Sequence, residues 1–329
     1  MILVTGAAGH IGNVLMRELL SEGRSVRALI LPGEDISSLE GLDVEITEGN
    51  VLDPASLNKA MDGIDIVFHL AGVISIMPGK NEWMQKVNVE GTKNVLRMAK
   101  ENGISRFVYT SSIHALSRSW RGKIDERVPF DPDNLAGGYD RTKAAASLAV
   151  LDAVKEGLDA VIVCPTGVIG PHDYRGSEMG DLLQSWFRRK IHMLVKGEYD
   201  FVDVRDVAHG HILACDRGRT GEVYILSGRQ IKVFELKKLV QESIGRRIVS
   251  FTIPMFVAKI AARAMPLYYR LTKKIPKFTE YSLETLQSNS DVSSGKARRE
   301  LGYKPRKLAV TIKDTVLWLL LKKQKANSR

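Results

Sequence analysis

The apolar positions of the chain fall into short β-branched runs separated by longer stretches with helical spacing. Ile2, Leu3 and Val4 form the first run, which reads as a buried parallel strand. Asn13 to Leu20 follows, with Val14, Leu15, Leu19 and Leu20 at helical spacing. The alternation continues with strands expected over 25–31, 44–47, 64–70, 106–110 and 160–164, and helices over 83–102 and 136–156. This rhythm predicts right-handed βαβ units and an α/β fold, a doubly wound parallel sheet covered on both faces. Beyond Pro165 it loosens. Residues 166–197, rich in Gly, His and Arg, read as an insertion beside the sheet, 202–217 as a strand passing into a helix, and 222–226 as a further strand. From Val233 the chain reads as helical and more basic.

Between the first strand and the first helix stands Thr5-Gly6-Ala7-Ala8-Gly9-His10-Ile11-Gly12. Gly6 permits a tight turn, Gly9 lets backbone N–H groups approach phosphates, and Gly12 lets the helix pack on the strand, so that the positive helix end faces an anion. Strand, glycine turn and helix in that order predict a dinucleotide pyrophosphate site. Ligands of such sheets sit at the carboxyl ends of the strands, where Gly6, Asn50, Ala71-Gly72, Ser111-Ser112 and Pro165-Thr166 fall.

Composition narrows the class. No run of eighteen apolar residues occurs, so no transmembrane helix is expected. The first strand begins at residue 2 without a basic leader, which argues against a signal peptide. Cys164 and Cys215 have no neighbours at metal-ligand spacing; a cytoplasmic protein with reduced thiols and no metal is expected. The net charge of +10 raises nucleic acid as a partner. The basic residues are scattered, however, thickening only late, as at Lys237-Lys238 and Arg298-Arg299, with no recognition motif, which argues against it. An acidic ligand or a membrane surface suits the charge better. Residues 253–279 contain no acid, while Lys259, Arg263, Arg270, Lys273 and Lys274 punctuate apolar residues. That pattern permits weak membrane-surface contact, although Pro254, Pro266 and Pro276 are expected to divide the stretch and favour a substrate-lobe helix with a solvated face.

Tyr139 and Lys143 stand four apart in a helical stretch and so share a face. A neighbouring ammonium lowers a phenol's pKa and makes proton exchange with a carbonyl oxygen feasible. Ser112, at the end of the fifth strand, could polarise the same oxygen.

These motifs together resemble an extended short-chain dehydrogenase/reductase of the NAD-dependent epimerase/dehydratase family, in the group of dihydroflavonol 4-reductases, 3β-hydroxysteroid dehydrogenases and sugar-nucleotide epimerases. TGAAGHIG at 5–12, FHLAG at 68–72, VNVEGTKNVL at 87–96, YTSSI at 109–113, YDRTK at 139–143, CPTGVIGP at 164–171 and FVDVRDVA at 201–208 carry the likeness. The resemblance implies a Rossmann-type NAD(P)-binding domain over 1–165 and 199–229, and a smaller, mostly helical substrate-binding lobe over 166–198 and 230–329. It implies Tyr139 as catalytic acid/base, Lys143 as the holder of the nicotinamide ribose, and Ser112 as the polarising hydroxyl. Gly6, Ala8, Gly9, His10, Ile11 and Gly12 match the pyrophosphate turn. Ala71 and Gly72, with Leu70, match a wall along the cofactor. Asn50, Val51, Asn88, Thr110, Pro165, Thr166 and Val168 complete the implied cofactor set, Asn88 equally able to serve structure alone. His69, His192, His209 and His211 are expected to be non-catalytic, the last three on the surface or in the second lobe.

Two departures bear on specificity. Asn50 replaces an Asp that accepts from the adenine amino group, keeping one acceptor oxygen. Ile30 and Leu31 replace both the acid of NAD-preferring members and the Arg of NADP-preferring ones, so NAD and NADP both remain open, with Arg24 and Arg27 within reach of a phosphate and Glu34 and Asp35 opposing one. His172, Tyr174, Tyr199 and Arg205 are candidate substrate contacts. Sugar-nucleotide members commonly place an Arg where this chain has Tyr199, and a phenol suits an apolar ligand better than a diphosphate. The expected activity is therefore hydride transfer to or from a hydroxyl or ketone on a largely apolar small molecule. A sugar-nucleotide epimerase or dehydratase, with Arg175 or Arg229 holding the diphosphate, is the alternative. A catalytically silent NAD(P)-binding protein would have no chemical need for Ser112, Tyr139 and Lys143 together. A homodimer is compatible with the sequence.

Overall fold

The computed structural model describes residues 1–74, 81–188, 191–272 and 280–327. The chain opens with β1 (Ile2–Thr5), α1 (His10–Ser21), β2 (Val26–Ile30), β3 (Glu45–Glu48), α2 (Pro54–Met61) and β4 (Ile66–His69). After α3 (Asn81–Met84) and a π-helical turn over Gln85–Glu90 come α4 (Gly91–Glu101), β5 (Arg106–Thr110), α5 (Gly138–Lys155) and β6 (Ala160–Pro165). Next are β7 (Gly167–Ile169), α6 (Glu178–Arg188), β8 (Ile191–Val195), β9 (Glu198–Asp203), α7 (Val204–Arg217) and β10 (Val223–Leu226). The chain closes with β11 (Arg229–Lys232), α8 (Val233–Ile244), β12 (Val249–Ile253), α9 (Met255–Thr272), α10 (Glu280–Gln287) and α11 (Leu308–Asn327).

Seven strands form one parallel sheet in the order β3–β2–β1–β4–β5–β6–β10. The expected doubly wound α/β architecture is therefore present. The order reverses beside β1, the switch point at which such sheets bind ligands. Apolar residues cover both faces. Val14, Leu15 and Leu19 of α1 pack with Val207 and Ile212 of α7 on one side, and Leu57, Val95, Leu96 and Val150 of α2, α4 and α5 cover the other.

Several elements depart from expectation. The helix expected over 83–102 is interrupted by the π turn, which carries the buried Asn88; widening one turn re-aims a side chain without ending the helix. The loosened region contains more strand than its pattern suggests. β7 and β11 flank β9 in a three-stranded sheet, and β8 pairs with β12 in parallel. β11 has a single inward apolar residue, Ile231, and the outward positions of β8 and β12 are themselves apolar, so neither pattern alternates as a half-buried strand does. Pro266 does not divide the last basic stretch. α9 runs through it, because an interior proline removes one hydrogen bond and kinks a helix without having to stop it. Residues 273–279, with Lys273, Lys274 and Pro276, lie outside the described residues. His211 is not on the surface: it is fully buried in α7, donating from Nδ1 to the Val207 carbonyl and accepting at Nε2 from the Thr110 hydroxyl, each at 2.7 Å.

The turn into α1 depends on one close approach. A methyl on Gly12 would lie 2.2 Å from the Gly6 carbonyl oxygen, while one on Gly9 would meet that oxygen at 3.1 Å and nothing else within contact distance. Gly12→Ala must therefore push α1 off the sheet, and a loss of about 1–3 kcal/mol in unfolding free energy is expected. Urea denaturation checks this, and an unchanged midpoint would mean that α1 does not need its close seat.

Candidate active site

The carboxyl edge of the sheet is built from side chains that fix one another. The Ala71 N–H donates to Thr5 Oγ1 at 3.1 Å, the Thr5 hydroxyl donates to His69 Nδ1 at 2.7 Å, and His69 Nε2 donates to Thr92 Oγ1 at 3.0 Å. The Thr92 hydroxyl donates in turn to the Asn88 carbonyl at 2.7 Å. The tautomer follows from these partners. Burial, then the Lys143 charge, pulls the His69 pKa down to about 3, so the imidazole is neutral and structural, as expected for a non-catalytic strand end.

Asn88 clamps the chain after β4. Its Oδ1 accepts from Val73 N at 2.7 Å, and its Nδ2 donates to Val73 O at 2.9 Å and to Thr142 Oγ1 at 3.1 Å. Thr142 sits between Tyr139 and Lys143, so the wall at Ala71-Gly72 is tied to the α5 face that carries both. Lys143 is buried; its Nζ donates to the Thr110 carbonyl at 2.6 Å and lies 5.0 Å above the Tyr109 ring. A methyl on Gly72 would meet that Nζ at 3.5 Å. The Ser112 hydroxyl lies near that of Tyr139 and counters part of its pKa rise, and the Ser112 Oγ accepts from His114 N at 3.2 Å.

Lys143 does not lower the Tyr139 pKa in this geometry. Its ammonium is directed at Thr110, and burial pushes the phenol up to about 12, the Ser112 hydrogen bond acting in the opposite sense. Burial pulls the ammonium down to about 8. At neutral pH the phenol therefore holds its proton and the lysine its charge.

An aromatic wall stands beside Tyr139. The His114 ring meets Tyr139 edge-on at 6.3 Å and stacks on Tyr199 at 5.9 Å, and Tyr281 of α10 lies 5.9 Å from the same ring. His114 Nε2 donates to the Tyr199 hydroxyl at 2.8 Å, and Nδ1 accepts from Arg118 at 2.8 Å. Burial, then the Arg118 charge, depresses its pKa to about 3. Arg118 also pairs with the fully buried Asp140 at 2.7 Å, and Asp140 accepts from the Tyr281 hydroxyl at 2.6 Å. His114, Arg118, Asp140 and Tyr281 were not foreseen. Only Asp140, an acid adjoining Tyr139 within a helix, carries a local signal.

The remaining candidates divide into two groups. Gly6 to Gly12 form the turn, with Gly6 at φ +70° and Gly9 capping α1 through no side chain. This leaves a glycine cradle and free helix N–H groups, which suit a pyrophosphate. His10 Nε2 donates to the Pro171 carbonyl at 3.0 Å. Leu70, Ala71, Gly72, Thr110, Pro165 and Thr166 line the ends of β4, β5 and β6, the Thr166 hydroxyl donating to Asp200 at 2.6 Å, and Val168 lies in β7. Asn50 Oδ1 is engaged by Leu52 N at 2.9 Å, with Val51 buried beneath Gly91. Tyr199 joins Ser112 and Tyr139 through His114. Three other residues do not reach that group. His172, at φ +67°, and Tyr174 pack near Trp318 of α11 in the cleft beside His10. The guanidinium of Arg205, a candidate substrate contact, is held by Asp203 and by Asp314 of α11, each at 2.8 Å, which ties α7 to α11. Arg24 is held by Asp216 and Arg27 by Glu45, so neither is free to meet a phosphate.

Residues 2–227 match the model of the NAD dependent epimerase/dehydratase family. The chain is 34% identical over 318 residues to sterol demethylase protein B of Methylococcus capsulatus, covering 96% of this chain and 97% of that one. It is 31% identical to a 3 beta-hydroxysteroid dehydrogenase/Delta 5-->4-isomerase of Mycobacterium tuberculosis, covering 92% and 86%. Among solved structures, gox2253 superposes with a TM-score of 0.84 at 32% identity over 98% of each chain. The chain belongs to the NAD dependent epimerase/dehydratase family. Within it, this is an NAD(P)-dependent oxidoreductase of the extended short-chain type.

The open side of Gly9 gives a direct test of the cradle. Gly9→Ala adds a methyl where phosphate must approach the backbone, while its meeting with Gly6 asks only a few tenths of an ångström of the turn. Calorimetry should show dinucleotide affinity reduced at least about tenfold with the unfolding midpoint almost unchanged. Retained affinity would mean that the phosphates sit elsewhere.

Proposed function

We propose that this enzyme transfers a hydride between a nicotinamide dinucleotide and a hydroxyl or ketone on a largely apolar, ring-containing small molecule. The observation that carries the reading is the aromatic wall of His114, Tyr199 and Tyr281 beside Tyr139, with the Arg118 guanidinium against it neutralised by Asp140. Such a wall stacks on rings, and its Arg118 charge is already taken by Asp140. Of the two alternative anchors for a nucleotide sugar, Arg175 is paired with Glu34 at 2.5 Å, and Arg229 is exposed at the start of β11. That the two relatives are named for sterols and steroids agrees with a polycyclic ligand.

The bound nicotinamide supplies or accepts the hydride. The Ser112 and Tyr139 hydroxyls lie near each other, so that a substrate oxygen placed between them would accept from both. In reduction Tyr139 delivers its proton to that oxygen as charge develops. In oxidation it takes the proton back. Lys143, whose ammonium is turned to the Thr110 carbonyl, would hold the nicotinamide ribose. Residues 1–165 and 199–229 form the cofactor domain, from which His114 and Tyr199 reach the substrate, and 166–198 with 230–329 form the substrate lobe.

Tyr139→Phe is expected to lower kcat by on the order of 10²–10⁴ with cofactor affinity unchanged, whereas Lys143→Ala should impair both. Stopped-flow turnover and dinucleotide titration check the pair. Full activity in the phenylalanine variant would remove Tyr139 from proton transfer. Accumulation of an epimerised sugar nucleotide without net change in nicotinamide absorbance would overturn the reductase reading.

The end of β2 favours NAD over NADP. Glu34 accepts from Leu31 N at 2.7 Å and pairs through its other oxygen with Arg175, which holds a carboxylate where ribose hydroxyls can donate. Calorimetry on the unaltered enzyme should give NAD at least about tenfold tighter than NADP, and Glu34→Gln should narrow the gap. Equal affinities would refute the assignment.

A further inference from the structure

The paired strands β8 and β12 show solvent an apolar face. Val249 stands opposite Ile191 and Phe251 opposite Met193 in the register, and all four side chains are about half exposed or more, Ile191 at 61%. On the opposite face of β8, His192 and Leu194 are buried. Two residues after β12 begins α9, which buries Ala258 and Ala262 against Leu283 of α10 and Val195. Its outward side carries Phe256 at 66% and Ile260 at 64% exposure, one helical turn apart.

Large apolar side chains exposed together on a strand pair and on the helix that follows it mark a contact surface. The charge of this stretch of sequence identifies what they contact. From Arg246 to Thr279 the sequence contains eight basic residues and no acid. Of these, Lys259 and Arg263 stand on α9 beside Phe256 and Ile260, Arg263 sharing its charge with Glu280 at 2.9 Å. Apolar side chains flanked by cations are the composition that seats on an anionic lipid surface, burying the rings at the acyl boundary and leaving the cations among the headgroups. No helix among the described residues is long and apolar enough to cross a membrane.

We infer that the β8–β12 face and the outer side of α9 dock this enzyme on an anionic lipid surface. The docking face is one helix from the chemistry: α10, on which α9 packs through Leu283, also carries Tyr281, whose hydroxyl meets Asp140 next to Tyr139. Given the apolar substrate proposed above, docking would let that substrate pass from lipid to the aromatic wall. The docking itself does not depend on that substrate, so either can fail alone.

Flotation of the full chain tests the inference, using vesicles of phosphatidylcholine alone and of equal parts phosphatidylcholine and phosphatidylglycerol. The protein should float with the anionic vesicles. Phe256→Ser with Ile260→Ser should lower partitioning by roughly tenfold or more, and Lys259→Ala with Arg263→Ala by about fivefold per charge lost. Unchanged NAD affinity and unfolding midpoint show that the variants are folded. Recovery of the unaltered enzyme in the soluble fraction would overturn the inference, as would equal flotation of the variants. So would a concentration-dependent dimer in sedimentation velocity that the serine variant dissolves, since a second copy would then cover the face.

Discussion

Both nitrogens of the His69 imidazole are committed, one donating to Thr92 and one accepting from Thr5, and through them β1, β4 and α4 are held at one height above the sheet. Thr5 carries the Ala71 N–H on its hydroxyl, and Thr92 reaches the Asn88 carbonyl, whose side chain grips Val73 and Thr142. A proton added to this ring would leave Thr5 with no acceptor, and burial opposes it. The cofactor wall and the Tyr139–Lys143 face are thus two ends of one buried network, worth more together than its pairs taken singly.

The substrate side is organised on a different principle. Its charges are paired with one another, Arg118 with Asp140 and Arg205 with Asp203 and Asp314, so the surface met by a ligand is mostly ring. Removing either partner of the buried Arg118–Asp140 pair would strand the other in a desolvated place. The pair therefore fixes the positions of His114 and Tyr281 while adding no net charge to the wall.

Much of this could be read from the sequence because the cofactor half is written locally. Strand, glycine turn and helix lie within twenty residues, and Tyr139 and Lys143 share one helix face. What could not be read depends on distance along the chain. His69 meets Thr5 across 64 residues, His211 meets Thr110 across 101, and Tyr281 meets Asp140 across 141. The same limit explains His172 and Tyr174. Gly170-Pro171 signals a cleft edge, but the left-handed turn at His172 carries both rings toward α11. Outward apolar residues on β8 and β12 hid those strands, since a face without polar residues has no alternation to detect.

The order of synthesis sets a constraint of its own on this architecture. The glycine turn leaves the ribosome well before the helix that covers α1, α7, which begins at Val204, and before the edge strand β10, which ends at Leu226. Ala297, Leu301 and Tyr303 close the same core. Until those segments emerge, Val14, Leu15 and Leu19 have no lid and β6 has an open edge, the two kinds of surface that chaperones retain and that aggregate. The dinucleotide turn, made before these segments, therefore becomes solid only after them, and a truncated product ending before Val204 would carry the whole glycine motif on a helix with nothing to rest against.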